Sequence, residues 1–230
     1  MPWADTLVIL LAAWLLIAGA SLWSRQLELG LEKPMLLASL RGLLQLITLA
    51  FVLHWVFGIQ SHLAQVAVIT AFCMLAAWNS AGHAHVTSLP KWQVWLSISL
   101  GLMMACAFTL PWLAFSGAVD NSTRVLIPIG SMVAANGMNA VSLMLHSMRD
   151  DAPISQGITT AMIPSVDMLK MVGLVHMPGI FVGMILAGAA PLDAASAQLV
   201  VLYMIVASNL AACIVSFLMI SYFRKMQACD

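Results

Sequence analysis

Charge is what this chain most lacks. Nine Lys and Arg and nine Asp and Glu in 230 residues leave 8% charged side chains against 62% hydrophobic ones. A soluble domain carries about a quarter charged residues, so this polarity excludes a water-solvated fold and makes lipid the main solvent. The mean hydropathy of +0.99 points the same way. The few charges cancel, which removes nucleic acid and a polybasic lipid-binding arm from the candidate partners. No GxxxxGK[ST] phosphate loop occurs and no soluble stretch is long enough for a nucleotide-binding domain, so the chain is expected to bind no cofactor itself. CxxC spacing is also absent. Cys73, Cys106, Cys213 and Cys229 stand singly, three of them within apolar runs, and are read as packing residues. Met1 to Asp5 carries an acid and no Lys or Arg, so the first apolar run is read as a membrane helix rather than a signal peptide, although Ala18-Gly19-Ala20 resembles a cleavage site.

What the chain does have is long apolar intervals, and a helix needs about 20 such residues to cross the hydrocarbon core. The charge-free intervals are 6–24, 42–90, 92–119, 125–148, 152–166, 171–192 and 194–223. The second is too long for one crossing, and the polar turn Gly58-Ile59-Gln60-Ser61-His62 divides it. The interval 152–166, interrupted by Pro153, Gly157 and Pro164, is too short and broken to cross alone and is placed at the interface or as a re-entrant entry. The expectation is an all-α polytopic membrane protein, one transmembrane domain over residues 1–230, with about seven spans centred near residues 15, 47, 71, 104, 137, 180 and 209. In that arrangement Arg25, Lys33, Arg41, Lys91, Arg149, Arg224 and Lys225 share one side and Arg124 stands alone on the other. Basic loops collect in the cytoplasm, so the amino terminus is expected outside and the carboxyl terminus inside. Trp3, Trp23, Trp55, Trp92, Trp95 and Trp112 fall near span ends as interfacial anchors.

Polar residues within spans form small groups. Arg41 and Gln45 share a helix face at i and i+4, although Arg41 alone is also explained as a snorkelling cation. Asn79 ends the third helix, either as a cap or as polar lining. On the fifth, Gly130, Ala134, Gly137 and Ala140 make a small-residue ridge for close helix contact. Asn136 and Asn139 there either bond neighbouring helices or line a path for a polar solute. Ser131 has no His evidently placed as its base, so an intramembrane hydrolase is set aside.

The stretch Ile163 to Gly179 is the least lipid-like, with Asp167 and Lys170 three residues apart, a helix start expected at Pro164 and a break at Pro178-Gly179 after His176. An unpaired ionisable group at bilayer depth costs several kcal/mol, roughly, so both must face protein, water or each other. They are read either as a structural salt bridge or as part of a translocation path or switch. Met162, Met168, Met171, Met177 and Met184 cluster nearby without a Met-x-x-Met ladder and are assigned to packing, and His83-Ala84-His85 to loop polarity.

From about Glu28 to Phe223 the chain resembles the FetB/YbbM family of ABC transporter permeases. The resemblance rests on Ser39-Leu40-Arg41-Gly42-Leu43-Leu44-Gln45-Leu46, Ala76-Ala77-Trp78-Asn79, the Pro128 to Ser142 helix, and Ala161-Met162-Ile163-Pro164-Ser165-Val166-Asp167 running into Lys170, Val172-Gly173-Leu174-Val175, Pro178-Gly179 and Ala187-Gly188. It implies a multi-pass permease of the cytoplasmic (inner) membrane, a homodimer paired with a cytoplasmic ABC ATPase that consumes the ATP, exporting iron, another metal ion or a small polar solute. Arg41, Gln45, Asn79, Asn136, Asn139, Asp167 and Lys170 are then its expected path or switch residues. Alternatives are an ion-coupled carrier with Asp167 as its protonatable site, or a membrane scaffold. One departure stands out. The family carries a charged cytoplasmic stretch after the fifth helix that looks like a coupling helix, whereas here Arg149-Asp150-Asp151-Ala152-Pro153-Ile154-Ser155-Gln156 leads almost directly into the next block.

Overall fold

In lipid every backbone N–H and C=O needs an internal partner, which favours helices throughout so apolar a chain. The structure is a computed structural model and describes residues 3–58, 61–82, 89–118, 122–148 and 154–229. His83, His85, the Ile59-Gln60 pair and residues 149–153 lie outside the described residues. The chain divides into two compact units, Met1–Gly58 and Ile59–Asp230.

The first unit is a helical hairpin of α1 (Trp3–Gln26) and α2 (Glu32–Phe57). Its turn uses left-handed backbone at Glu28 (φ 53°) and Gly30 (φ 71°). The Leu31 N–H reaches back to Ser24 Oγ at 3.2 Å, which satisfies a donor that the helix start would otherwise leave free. Trp14 Nε1 donates to Ser39 Oγ across the pair at 3.3 Å.

The second unit comprises α3 (His62–Ala81), α4 (Lys91–Phe115), α5 (Thr123–Ser147), α6 (Ile154–Met171), α7 (Gly179–Leu186) and α8 (Pro191–Cys229). Side-chain bonds fix the directions. Gln65 donates to Thr123 at the starts of α3 and α5, and Ser80 bonds Met138 O and Ser142 Oγ near their far ends, so these two helices run parallel. Trp95 Nε1 donates to Met74 O, which sets the first turns of α4 beside the later part of α3. The same end receives the close of α8, where Gln227 bonds Gln93 and Phe223 meets Trp92 edge-on. Hence α5 finishes at one end of the bundle while α8 begins at the other.

The traverse between them is made in two pieces. Near its start α6 lies against α5, where Gly157 faces Met144 and Met148, and Ser165 meets Asn209 midway along α8. After Met171 the chain turns: the N–H groups of Leu174, Val175 and His176 converge on Met171 O, and Gly173 takes φ +79°. Pro178 then opens the eight-residue α7.

Two expectations change here. Among the described residues six helices are long and apolar enough to cross a membrane, namely α1 to α5 and α8. A seventh continuous span over 171–192 does not form, because the turn after Met171 interrupts it. Pro164 does not start a helix, since α6 runs unbroken from Ile154 and carries Pro164 inside it. Residues 154–166 are accordingly part of one helix packed against α5 and α8. Pro lacks only one donor, and a helix held on two sides tolerates that loss.

The small-residue ridge of α5 does what its spacing predicts. Gly130, Ala134, Gly137 and Ala140 are all buried. A Cβ added at Gly130 would fall 2.9 Å from Ile69 of α3, and one at Gly137 would fall 2.7 Å from Leu102 of α4. Around this ridge the core is filled by Ile98, Leu102, Val133, Val141, Met144, Leu145 and Ile220.

Candidate functional site

Along the second unit, polar side chains collect at helix seams and at the broken traverse. The clearest seam joins α6 to α8, where Asn209 Nδ2 donates to the hydroxyl of Ser165 at 2.7 Å, both residues being buried. Asn209 Oδ1 is buried without a hydrogen-bond partner, and so is Gln198 Oε1 further up α8. Two orphaned acceptors on one apolar helix are costly, at about 1–3 kcal/mol each, unless water or a polar solute reaches them.

Position along the second unit can be read from α8, a 39-residue helix about 58 Å long. Asn209 lies about 27 Å from its start and 30 Å from its end, so the Ser165 contact marks the middle. Asp167 and Lys170 follow on α6 about 3 and 8 Å beyond Ser165. Lys170 Nζ donates to Asp167 Oδ1 at 3.1 Å, with side chains 66% and 57% exposed respectively. This pair is therefore not buried within the protein. In water such a bond contributes about 0.5 kcal/mol or less, too little to account for two ions on a helix packed among membrane-spanning ones.

The other expected residues scatter. Arg41 and Gln45 lie exposed on one face of α2 in the first unit. Asn79 is exposed, and its side chain donates to Met138 Sδ at 3.6 Å instead of capping α3, whose cap is Gly82. Asn136 turns back on its own helix, donating to Met132 O at 2.9 Å, and among the described residues it bonds no neighbouring helix, while Asn139 is exposed. The exposed Trp23, Trp55, Trp92 and Trp112 suit interfacial anchors.

A second feature had no signal in the sequence. A cavity of about 570 Å³ opens between α3, α4 and α5, with His62 and Gln65 among its lining and mostly apolar walls. His62 Nδ1 lies 3.3 Å from Gln65 Oε1. Deeper in the cavity Cys73 and Cys106 line it together, their Sγ atoms 3.7 Å apart. They are 33 residues apart in the chain, and only the antiparallel pairing of α3 and α4 brings them side by side. Among the described residues no group of three or more His, Cys, Asp or Glu converges on one point.

Comparison with known proteins fits this membrane architecture. The chain is 28% identical to the "Probable iron export permease protein FetB" of Escherichia coli, over 89% of this chain and 88% of that protein. It is 27% identical to the "UPF0014 membrane protein STAR2" of rice, over 93% and 83%, and 27% identical to the Arabidopsis "Protein ALUMINUM SENSITIVE 3", over 89% and 82%. No solved structure matches. A family model, "Uncharacterised protein family (UPF0014)", matches residues 7–157 and 151–224, two segments that overlap at residues 151–157 after α5. Spanning nearly the whole sequence, that match and the six apolar helices show a multi-pass membrane protein that belongs to the UPF0014 family.

Proposed function

We propose that this chain is the membrane subunit of an ABC-type exporter, acting as a homodimer with a separate cytoplasmic ATPase and moving a metal ion or another small polar solute outward across the cytoplasmic membrane. The observation that carries the reading is the exposed Asp167–Lys170 pair on the broken traverse. Hydrocarbon does not accept two such ions, so this face of α6 meets a second protein surface or an aqueous path, which is where a permease holds its cargo route. The "iron export permease" among the relatives supports the metal. The absence of a phosphate loop supports a separate ATPase.

The ends of the bundle support the orientation proposed here. Lys91, Arg224 and Lys225 belong to the end where α4 begins and α8 closes, while Arg124 belongs to the other. Cytoplasmic ends gather Lys and Arg, so the carboxyl terminus is cytoplasmic. In the alternative carrier reading Asp167 must pick up and release protons by itself. Its carboxylate is instead engaged by the Lys170 ammonium at 3.1 Å.

The test is reconstitution of the chain into proteoliposomes with and without a candidate ATPase. ATP-dependent metal flux that disappears in Asp167→Asn is expected. Metal flux from the permease alone, driven by a pH gradient, would replace the exporter with the carrier, and no flux and no complex in any combination would end both readings.

A further inference from the structure

We propose that Cys73 and Cys106 form a two-thiolate binding site for a divalent transition-metal ion on the inner wall of the α3–α4–α5 cavity, a site that the ion occupies in transit. The transit role rests on the export reading above. The site itself rests only on geometry.

Both thiols are buried, at 0% and 5% exposure, yet both line a cavity large enough to admit an ion with several waters. Their 3.7 Å separation is the relevant quantity. With metal–sulfur bonds of about 2.3 Å, two thiolates on one edge of a tetrahedron stand about 3.8 Å apart. The observed spacing matches that edge with no helix movement required. Packing explains one buried Cys on each helix. It does not by itself explain why both thiols turn to the same cavity wall at a ligand's separation.

The surroundings select the ion by charge. A divalent ion, M²⁺, binds two R–SH groups to give M(SR)₂ and two protons, which leave through the mouth of the cavity. No electrons move, and the product is neutral, as apolar walls require. A monovalent ion held the same way would leave a net negative charge in the cavity. Half of the tetrahedron stays open, because no third His, Cys, Asp or Glu converges there among the described residues. Closed four-ligand sites retain their metal as structure, whereas open ones exchange ligands, and exchange is what a moving cargo needs. Along α3, about 12 and 16 Å from Cys73, Gln65 and His62 line the same cavity and offer polar contacts on the way to the thiols.

Titrating the full, reduced chain in detergent micelles with Co(II) tests the site. One ion per chain should bind with a thiolate-to-metal charge-transfer absorption band. Because two protons leave, the apparent Kd should fall by up to about 100-fold per pH unit. Cys73→Ser and Cys106→Ser should each abolish the band, while Cys213→Ser should keep it. If the serine variants misfold, maleimide labelling of the unmodified chain supplies the readout, with bound Co(II) or Zn(II) protecting Cys73 and Cys106.

A folded, reduced chain with no charge-transfer band and no protection overturns the site, as does a band that survives Cys73→Ser. Spontaneous oxidation of the pair to a disulfide, with no metal bound by the reduced form, also overturns it. Metal export that continues unchanged in Cys73→Ser/Cys106→Ser removes the transit role and leaves the export reading intact. Intact Co(II) binding in a chain that exports nothing with its ATPase upholds the site and removes the export reading.

Discussion

Replacing Gly101 with Ala tests the contact on which the second unit most depends, the close approach of α4 to α8. A Cβ at this position would overlap Ser216 Oγ and lie 2.8 Å from the Ala212 carbonyl oxygen and 3.1 Å from the Ser216 nitrogen. Ordinary contact begins at 3.4 Å, so clearing the carbonyl needs a retreat of about 0.6 Å. The hydroxyl can rotate away, but the carbonyl belongs to a helix backbone and moves only with α8. A gap of that size forfeits about a quarter to a half of each facing dispersion contact. Overpacking of this kind costs about 1–3 kcal/mol, and the higher helix propensity of Ala returns up to about 1 kcal/mol. The expected net loss is about 1–2 kcal/mol. Gly183→Ala, in the same unit with nothing within 4 Å of its added Cβ, should gain a few tenths to about 1 kcal/mol. The two variants should therefore differ by about 1.5–3 kcal/mol, roughly 10- to 150-fold in the unfolding constant. Equilibrium unfolding by SDS in mixed micelles, followed by tryptophan fluorescence, measures the difference. A Gly101→Ala midpoint matching that of Gly183→Ala would refute the packing argument.

Three further outcomes are expected. Asp167→Asn and Lys170→Met should each impair export at least several-fold while changing unfolding stability by about 1 kcal/mol or less, because the pair is exposed; full export by either single variant removes the ionic pair from the mechanism. Gly173→Ala should cost about 1–2 kcal/mol through its φ of +79° and speed hydrogen exchange at residues 172–178, and unchanged exchange there contradicts the strained turn. Asn209→Ala and Ser165→Ala should each cost about 0.6–1.7 kcal/mol, with the double variant costing less than their sum, whereas strict additivity means the 2.7 Å bond contributes nothing.

Much of this architecture was legible in the sequence because lipid makes the rules simple. Charge-free intervals gave α1, α4, α5 and α8 to within a few residues, and the polar turn at Gly58 to His62 gave the boundary between α2 and α3. The fifth-helix ridge was also readable, since Gly and Ala at helical spacing have few uses besides close contact. The break in the traverse was expected but displaced. Pro178-Gly179 marks the start of α7, and the chain leaves α6 seven residues earlier, at Met171, where Gly173 rather than Pro178 accommodates the turn. Pro164 misled because a proline's effect depends on whether neighbouring helices hold the segment. Among the polar candidates, the spacing of Asp167 and Lys170 announced their bond, while Asn136 satisfies itself within α5. Ser165 with Asn209, and Cys73 with Cys106, were invisible. Each pair joins two helices across 44 and 33 residues, and nothing local records which faces will meet.

The two chemically distinctive regions of the second unit lie on different helices, so their relation depends on what touches both. The ionic pair is carried by α6 and the thiol cavity is lined by α3, α4 and α5. Helix α5 touches both α6 and α4, and so does α8, which also contacts α7. Helix α8 meets α6 through the Asn209–Ser165 bond and α4 through Gly101, where backbone and side chain leave no slack. A packed contact of this kind transmits displacement instead of absorbing it, because closely packed interiors compress little. A shift of α6 at the ionic pair therefore presses on the middle of α8, and α8 cannot yield at Gly101 without carrying α4, the helix bearing Cys106, along with it. The pathway predicts its own control: a variant that loosens only the Gly101 contact should leave Co(II) binding at the thiols intact while reducing the dependence of metal export on Asp167. Equal loss of binding and export would instead mean that the contact merely holds the bundle together.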